Sequence, residues 1–350
     1  MRIAKSVQNL EAYVPGEQPK SQDVVKLNTN ENPYPPSPQC AAVLKDFDLD
    51  KLRRYPDPVF RDLRAALAEL NGTVPERIFI GNGSDEVLSL AAKAFVENDE
   101  QIASLDPSYS LYKTLAAIRD VAWVPVGPDL RTAQVGSKVA LALITNPNAP
   151  TGTLKEIDEI AAFSRVFRGV LLVDEAYADF APVNCMSLAT AAENTNVLVM
   201  RTFSKSYSLA GLRVGYCVGP VDLIDALYKI KDSYNVDALA QAVALAAVKD
   251  RAHFEDTVAQ VVESRGKLTD ALRARGWNIP ESHTNFLFAR PPAPFKADEL
   301  FAKLRENNIF VRYFPGEKTG DRLRITIGTP QQNARFLEVL DLLTGGHQDG

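Results

Sequence analysis

Cysteine and histidine are scarce in this chain. Cys40, Cys185 and Cys217 are odd in number, far apart and without C-x-x-C spacing, which argues against a disulfide framework and a thiolate metal site and leaves buried free thiols as the expectation. His253, His283 and His347 stand alone, with no H-E-x-x-H and no clustered His, Asp and Glu ligands, so no metal is expected. Long apolar runs are missing as well. The Ala-rich stretch 238–248 is too short to span a bilayer, and residues 1–20 lack the apolar core of a signal peptide, so a cytoplasmic protein is expected. No basic block exists: 39 Lys and Arg against 44 Asp and Glu give a net charge of −5 with both signs interspersed, which speaks against a nucleic-acid surface. With 46% hydrophobic and 24% charged residues, and 22 prolines scattered without a low-complexity tract, disorder, collagen and repeat arrays are excluded.

What is present is an alternation. The length of 350 residues exceeds the roughly 250–300 that one core usually serves, so two domains are expected. Short β-branched apolar runs recur at Arg77–Gly81, Gln101–Leu105, Val139–Thr145, Val170–Asp174, Val197–Thr202 and Leu212–Val218. Several are apolar throughout, as in strands covered on both faces. Between them, Asp85–Phe95, Leu111–Arg119 and Ile157–Phe167 carry apolar residues at helical spacing. The expected fold is therefore α/β, a large domain with a mostly parallel sheet sandwiched by helices. After Pro220 a long helical region, about 221–275, precedes strands at Asn285–Ala289 and Arg322–Ile327 and helices at Ala297–Asn307 and Arg335–Leu343, a smaller α+β unit. The expected division is an N-terminal arm at 1–30, a large domain at 31–245 and a small C-terminal domain at 246–350.

Ligands of open parallel sheets collect at the carboxyl ends of strands. Here those ends carry Asn82-Gly83-Ser84-Asp85-Glu86, then Asp106-Pro107-Ser108-Tyr109, then Asn146 to Gly152, then Asp174-Glu175-Ala176-Tyr177, and lastly Ser204-Lys205. A dinucleotide fingerprint is not met, because position 86 is Glu where a third glycine would stand, and no G-x-x-x-x-G-K-[ST] occurs. What remains is a Gly-rich helix start suited to an anion, with an Asp, a Tyr and a Lys at other strand ends. Those are the groups that pyridoxal 5′-phosphate needs: an amine for its aldehyde, a carboxylate for the pyridine nitrogen and a phenol for the ring hydroxyl. Singly, each has a bland reading, since a Lys after a strand is more often a solvated surface residue and an Asp there commonly a turn or helix cap. Their order and spacing carry the argument.

The sequence resembles the fold-type I, pyridoxal-phosphate-dependent aminotransferases over nearly its whole length, and within them the histidinol-phosphate aminotransferases. The marks are Leu27 to Pro33, Arg54-Tyr55-Pro56-Asp57-Pro58, Gly81 to Glu86, Pro150-Thr151-Gly152, Val173 to Tyr177, and Arg201 to Tyr216. By resemblance, Lys205 is the lysine that binds the aldehyde and carries protons, Asp174 the partner of the ring nitrogen, and Tyr177 the donor to the ring hydroxyl. Tyr109 would stack on the ring. Gly83, Ser84, Asp85, Ser204 and Arg213 would hold the phosphate, with Tyr55 reaching across from the other subunit of a homodimer. Relatives often read Asn-Asn-Pro-Thr-Gly, but Ala149 occupies the place of the second Asn, which leaves Asn148 as the substitute. On the substrate side the resemblance implies Arg324, Arg312, Asn30 and Tyr13, the last on an arm that would act as a lid. The implied reaction moves an amino group from L-histidinol phosphate to 2-oxoglutarate, giving imidazole acetol phosphate and L-glutamate. The alternatives are an aromatic-amino-acid aminotransferase and threonine-phosphate decarboxylase. A non-catalytic regulator would need a DNA-binding extension, and none is apparent in the sequence.

Overall fold

The computed structural model describes residues 3, 5–8, 10, 16–19, 23–130 and 135–345, the Lys5 side chain excepted. Twelve strands occur among them: β1 Val25–Lys26, β2 Ile78–Gly81, β3 Gln101–Leu105, β4 Ala122–Val126, β5 Val139–Thr145, β6 Val170–Asp174, β7 Val197–Thr202, β8 Gly215–Val218, β9 Phe286–Ala289, β10 Ile309–Phe310, β11 Arg312–Tyr313 and β12 Leu323–Thr326. Seven form one sheet in the order β2-β8-β7-β6-β5-β3-β4. All are parallel except β8, which runs against both neighbours. The apolar runs read from the sequence are six of these seven strands, all but β4, and their alternate residues feed two different cores. Ile78, Ile80, Ile144, Val173 and Val199 point to one face, while Phe79, Leu141, Leu143, Leu172 and Leu198 point to the other. Helices over both faces explain why these strands need no polar alternation.

Two differences from the sequence reading have local causes. Strand β4 escapes pattern recognition because Pro125 interrupts it. Its place at the sheet edge tolerates a residue without an N–H. Strand β8 begins at Gly215, not Leu212, because a 3₁₀ turn at Ala210–Leu212 is followed by Arg213 in the left-handed region, at φ 56°. The helical region beyond Pro220 is three helices, Val221–Ile230, Ala238–Lys249 and Arg251–Ala274. Asp237 and Asp250 open the second and third by accepting from the amides of Ala240 and His253, the usual work of an N-cap carboxylate.

A separate apolar cluster gathers Val261, Leu268, Phe286, Leu300, Leu323, Ile325 and Phe336, with Leu27 and Tyr177 joining it from far away in sequence. Its three-stranded sheet has the order β11-β12-β9, antiparallel throughout. Strand β1 pairs parallel with β10, Val25 opposite Ile309. That pairing carries the following residues, Leu27 to Asn32, across from the small sheet to the ends of β6 and β7.

Candidate active site

The anion cradle starts at the end of β2. Gly83 is the N-cap of the helix Ser84–Ala94 and takes φ 81°, a conformation that favours glycine. A Cβ there would stand 2.5 Å from an Arg213 guanidinium nitrogen, and one on Gly215 would stand 2.5 Å from the Ser84 amide nitrogen. Both glycines are thus required for the helix start, Arg213 and β8 to meet. Arg213 donates to Ser204 Oγ at 3.3 Å and to Asp85 Oδ2 at 3.4 Å, and Ser204 Oγ also accepts from Thr202 Oγ1. Gly83, Ser84, Asp85, Ser204 and Arg213, drawn from three strand ends, therefore share one corner, where first-turn amides and a guanidinium offer positive charge. Glu86 braces the loop by accepting from the Asn82 amide and from Asn235 Nδ2.

Asp174 ends β6 and is 4% exposed. Its Oδ1 accepts from the Ala176 amide at 3.0 Å, and its Oδ2 lies 2.7 Å from the Tyr112 hydroxyl. Burial pushes the carboxyl up to about 6 against those two donors, and the nearby charges of Asp85 and Glu175 push the same way. Lys205, beyond β7, donates to the Thr29 carbonyl at 3.1 Å and stands 5.9 Å from the centre of the Tyr177 ring. Burial first, then the Arg324 cation, bring its amine down to about 8, with Glu31 opposing. A neutral share of the amine near that pH is what a nucleophilic or proton-carrying lysine needs. Tyr177 is buried against Phe286, ring centres 5.1 Å apart, and accepts from Asn30 Nδ2 at 2.9 Å.

Beneath these groups lies an ion triad that the residue-by-residue reading did not single out. Arg201 donates to Glu175 Oε2 at 2.9 Å and to Asp179 Oδ1 at 2.9 Å, and Asp179 accepts from Ser206 Oγ. Glu175 also accepts from the Cys185 amide. The triad ties the turn after Asp174 to the turn holding Lys205. Asn285, which donates to the Asn30 carbonyl, and Thr326, which donates to Asn30 Oδ1, also went unseen. The signal available for the triad was the charged Arg201 inside an otherwise apolar strand, opposite Glu175 and Asp179.

Arg312 and Arg324 are Cα partners across β11 and β12. Both guanidinium groups lie over the Phe314 ring, at 5.3 Å and 5.1 Å, and Arg324 also donates to the Asn28 carbonyl at 3.0 Å. Asn30 is fully buried at φ 55° and spends its side chain on Tyr177 and Thr326. Tyr109 is half-buried, its hydroxyl 3.4 Å from Asp85 and its ring edge-on to Tyr112. Asn148 accepts from Ser108 and donates to Pro107 O and Thr151. Tyr55 is 80% exposed and stacks on Tyr234 at 4.3 Å. Tyr13 lies outside the described residues.

Comparison with known proteins agrees with this geometry. The model of the class I and II aminotransferase family matches residues 22–340. The chain is 42% identical over 345 residues to histidinol-phosphate aminotransferase 1 of Trichormus variabilis, covering 97% of this chain and 98% of that one. The crystal structure of histidinol-phosphate aminotransferase from Sinorhizobium meliloti with pyridoxal 5′-phosphate superposes with a TM-score of 0.88 at 24% identity, covering 98% of both chains. L-threonine-O-3-phosphate decarboxylase of Porphyromonas gingivalis shares the fold, with a TM-score of 0.80 at 24% identity over 92% of this chain and 100% of that one. Among the described residues no helix is long and apolar enough to cross a membrane, and no cluster of three or more His, Cys, Asp or Glu could hold a metal. The donor set fits pyridoxal phosphate: an anion cradle that a Cβ at position 83 would fill, an amine lowered to about 8 and a buried carboxyl. By sequence and by fold, the chain belongs to the class I and II aminotransferases, pyridoxal-phosphate-dependent enzymes, in the family of the histidinol-phosphate aminotransferases.

Proposed function

We propose that the enzyme transfers the amino group of L-histidinol phosphate to 2-oxoglutarate, giving imidazole acetol phosphate and L-glutamate in histidine biosynthesis. The observation that carries the choice of donor is the arginine pair. One pocket must accept a phosphate from one substrate and a carboxylate from the other, and two guanidinium groups over one aromatic ring suit both anions. A phosphate, with three free oxygens and up to two charges, can engage both guanidinium groups at once, which the single carboxylate of an aromatic donor does less well.

When bound, pyridoxal phosphate supplies an aldehyde that takes up the amine and a ring that draws electrons from it. Gly83, Ser84, Asp85, Ser204 and Arg213 would hold its phosphate, Asp174 would face the ring nitrogen, Tyr177 the ring hydroxyl, and Tyr109 the ring itself. Asn148 would serve beside Ala149, although its amide is already engaged with Ser108, Pro107 and Thr151. Lys205 supplies the amine for the aldehyde and then moves a proton at Nζ, its charge kept low by burial and by Arg324. Asn30 fixes the orientation of the Tyr177 phenol. Arg312, Arg324 and, from the arm, Tyr13 would grip the substrate anion.

The working unit in this reading is a homodimer in the cytoplasm, with Tyr55 completing the partner's phosphate site. Support comes from an exposed apolar stretch, Leu44, Leu49, Leu52 and Tyr55 with Tyr234, and from three buried cysteines that remain free thiols. The division into domains at 31–245 and 246–350 draws support from the separate apolar clusters, with Val248 and Phe254 packing into the larger one and Ala149, Tyr177 and Phe180 into the smaller. The deciding experiment titrates the protein loaded with pyridoxal phosphate by visible absorbance, with L-histidinol phosphate and separately with L-phenylalanine, in the absence of keto acid. Conversion by histidinol phosphate at far lower concentration supports the proposal. Preference for phenylalanine moves the enzyme to the aromatic aminotransferases. Release of carbon dioxide from threonine phosphate without any need for 2-oxoglutarate would make it a decarboxylase.

A further inference from the structure

A chain of side-chain oxygens runs from Asp174 through the interior. Asp174 Oδ2 lies 2.7 Å from the Tyr112 hydroxyl, which lies 2.6 Å from Thr145 Oγ1; Thr145 Oγ1 lies 3.0 Å from Ser108 Oγ, and Ser108 Oγ lies 2.8 Å from Asn148 Oδ1. All four are hydrogen-bond distances. Tyr112 and Thr145 are 0% and 1% exposed, so water does not supply partners in the middle of the chain.

The directions of these bonds can be counted. Asn148 Nδ2 faces the Pro107 carbonyl and Thr151 Oγ1, at 3.0 and 2.9 Å, and a carbonyl can only accept, so Asn148 presents its oxygen to Ser108. Ser108 must therefore donate to Asn148. Its one proton is then committed, so Thr145 must donate to Ser108, and Tyr112 must donate to Thr145. The last contact, between Tyr112 and Asp174, is left without a hydroxyl proton: there are four contacts and only three hydroxyl groups. If Asp174 were a carboxylate, one oxygen pair in this buried chain would meet lone pair to lone pair, where low dielectric makes such a mismatch costly. A proton on Asp174 removes it.

We propose that Asp174 is a neutral carboxylic acid in the cofactor-free chain, donating to Tyr112, and that Thr145 is the positioning residue that sets this state. The ring nitrogen of the cofactor then meets a carboxyl whose charge is governed by a hydroxyl chain, not by its own solvation alone. The proposal does not depend on the identity of the amine donor. Burial and the anions Asp85 and Glu175 act in the same sense, whereas the two polar contacts of the carboxyl, the Tyr112 hydroxyl and the Ala176 amide, favour the ionised form whenever they donate to it.

Substitution tests the count directly. Thr145→Val keeps the shape but removes one hydroxyl and two contacts, leaving Ser108 to donate to Asn148 and Tyr112 to Asp174. Two contacts and two protons then suit a carboxylate. Ser108→Ala, at a half-buried position, balances the chain in the same way and guards against misfolding of the first variant. Infrared spectra of the cofactor-free, full-length protein should show below pH 7 a carboxylic-acid C=O band that is lost in Asp174→Asn. In Thr145→Val and in Ser108→Ala the band should titrate at lower pH, with proton affinity weakened about tenfold, the worth of one hydrogen bond to the charged form. Thermal unfolding gives a second reading. A carboxyl that binds its proton more tightly when folded costs stability as pH rises between its unfolded and folded values. The wild-type chain should lose stability across that range, and Asp174→Asn should not. Absence of the band in the wild type below pH 7, or an unchanged midpoint in both hydroxyl variants, would overturn the proposal.

Discussion

In the proposed site, the strand ends of the seven-stranded sheet and the face of the small sheet contribute in opposite ways. On the large sheet each chemical group sits within a residue or two of the strand that aims it: Gly83 after β2, Asp174 at the end of β6, Lys205 after β7. On the small sheet nothing is local. Arg312 and Arg324 become neighbours only through the β11–β12 register, and Asn30 reaches Tyr177, Thr326 and Asn285 across separations of 147, 296 and 255 residues. A cofactor platform can be built from short-range geometry. A substrate pocket that also closes two layers onto each other needs long-range pairing.

The sharpest test of the local half is Lys205→Ala. Turnover should fall on the order of 10³-fold or more, as expected when one group serves as both nucleophile and proton carrier, while circular dichroism stays unchanged. Retained transamination would break the assignment of the strand-end lysine. The long-range half predicts a smaller and selective loss. Arg324→Ala should cost roughly 10- to 100-fold in kcat/KM for both substrates, the worth of a charge-assisted pair, with Arg312→Ala costing less. Unchanged kcat/KM for both L-histidinol phosphate and 2-oxoglutarate would mean that the pair does not read the anion.

Sharing of sites between subunits gives an intermediate effect. Mixing Tyr55→Phe with Lys205→Ala subunits should restore activity beyond the sum of the parents, because half of each mixed dimer is then intact. No rescue would place Tyr55 within its own chain. A further test joins the two halves through charge. The rate at which the cofactor-free protein captures pyridoxal phosphate should rise with pH and level off above about 8, where the Lys205 amine is neutral. Arg324→Gln removes a cation that lowers that amine, so the midpoint should move up; an unmoved midpoint would uncouple the small sheet from Lys205.

The smallest expected effect separates backbone from side chain at Asn30, whose φ of 55° tolerates Asn better than Ala. Asn30→Gly keeps the backbone free and loses only the hydrogen bonds, about 1–2 kcal/mol. Asn30→Ala adds strain of about 1 kcal/mol, so its melting temperature should be the lower of the two.

How much of this was legible follows the same division. Apolar runs covered on both faces announced themselves, and the residue after each was a candidate by position alone. Strand β4 stayed hidden because an edge position forgives Pro125. Tyr112 stayed hidden for a different reason: within the helix Leu111–Ile118 its spacing is that of a core residue, and burial is what it has. Only its hydroxyl, 2.7 Å from Asp174, distinguishes it from a phenylalanine. Thr145 likewise reads as an ordinary β-branched strand end until its oxygen is found between Tyr112 and Ser108.

By itself the sequence determined the parallel sheet, the glycine-dependent anion cradle and the order of Asp174, Tyr177 and Lys205, because periodicity and turn chemistry act over a few residues. Tertiary structure decided which cations bear on Lys205, which phenol contacts Asp174 and how Arg312 meets Arg324. Those depend on burial and on pairs of atoms far apart in the chain, and charge is strongest where water has been excluded.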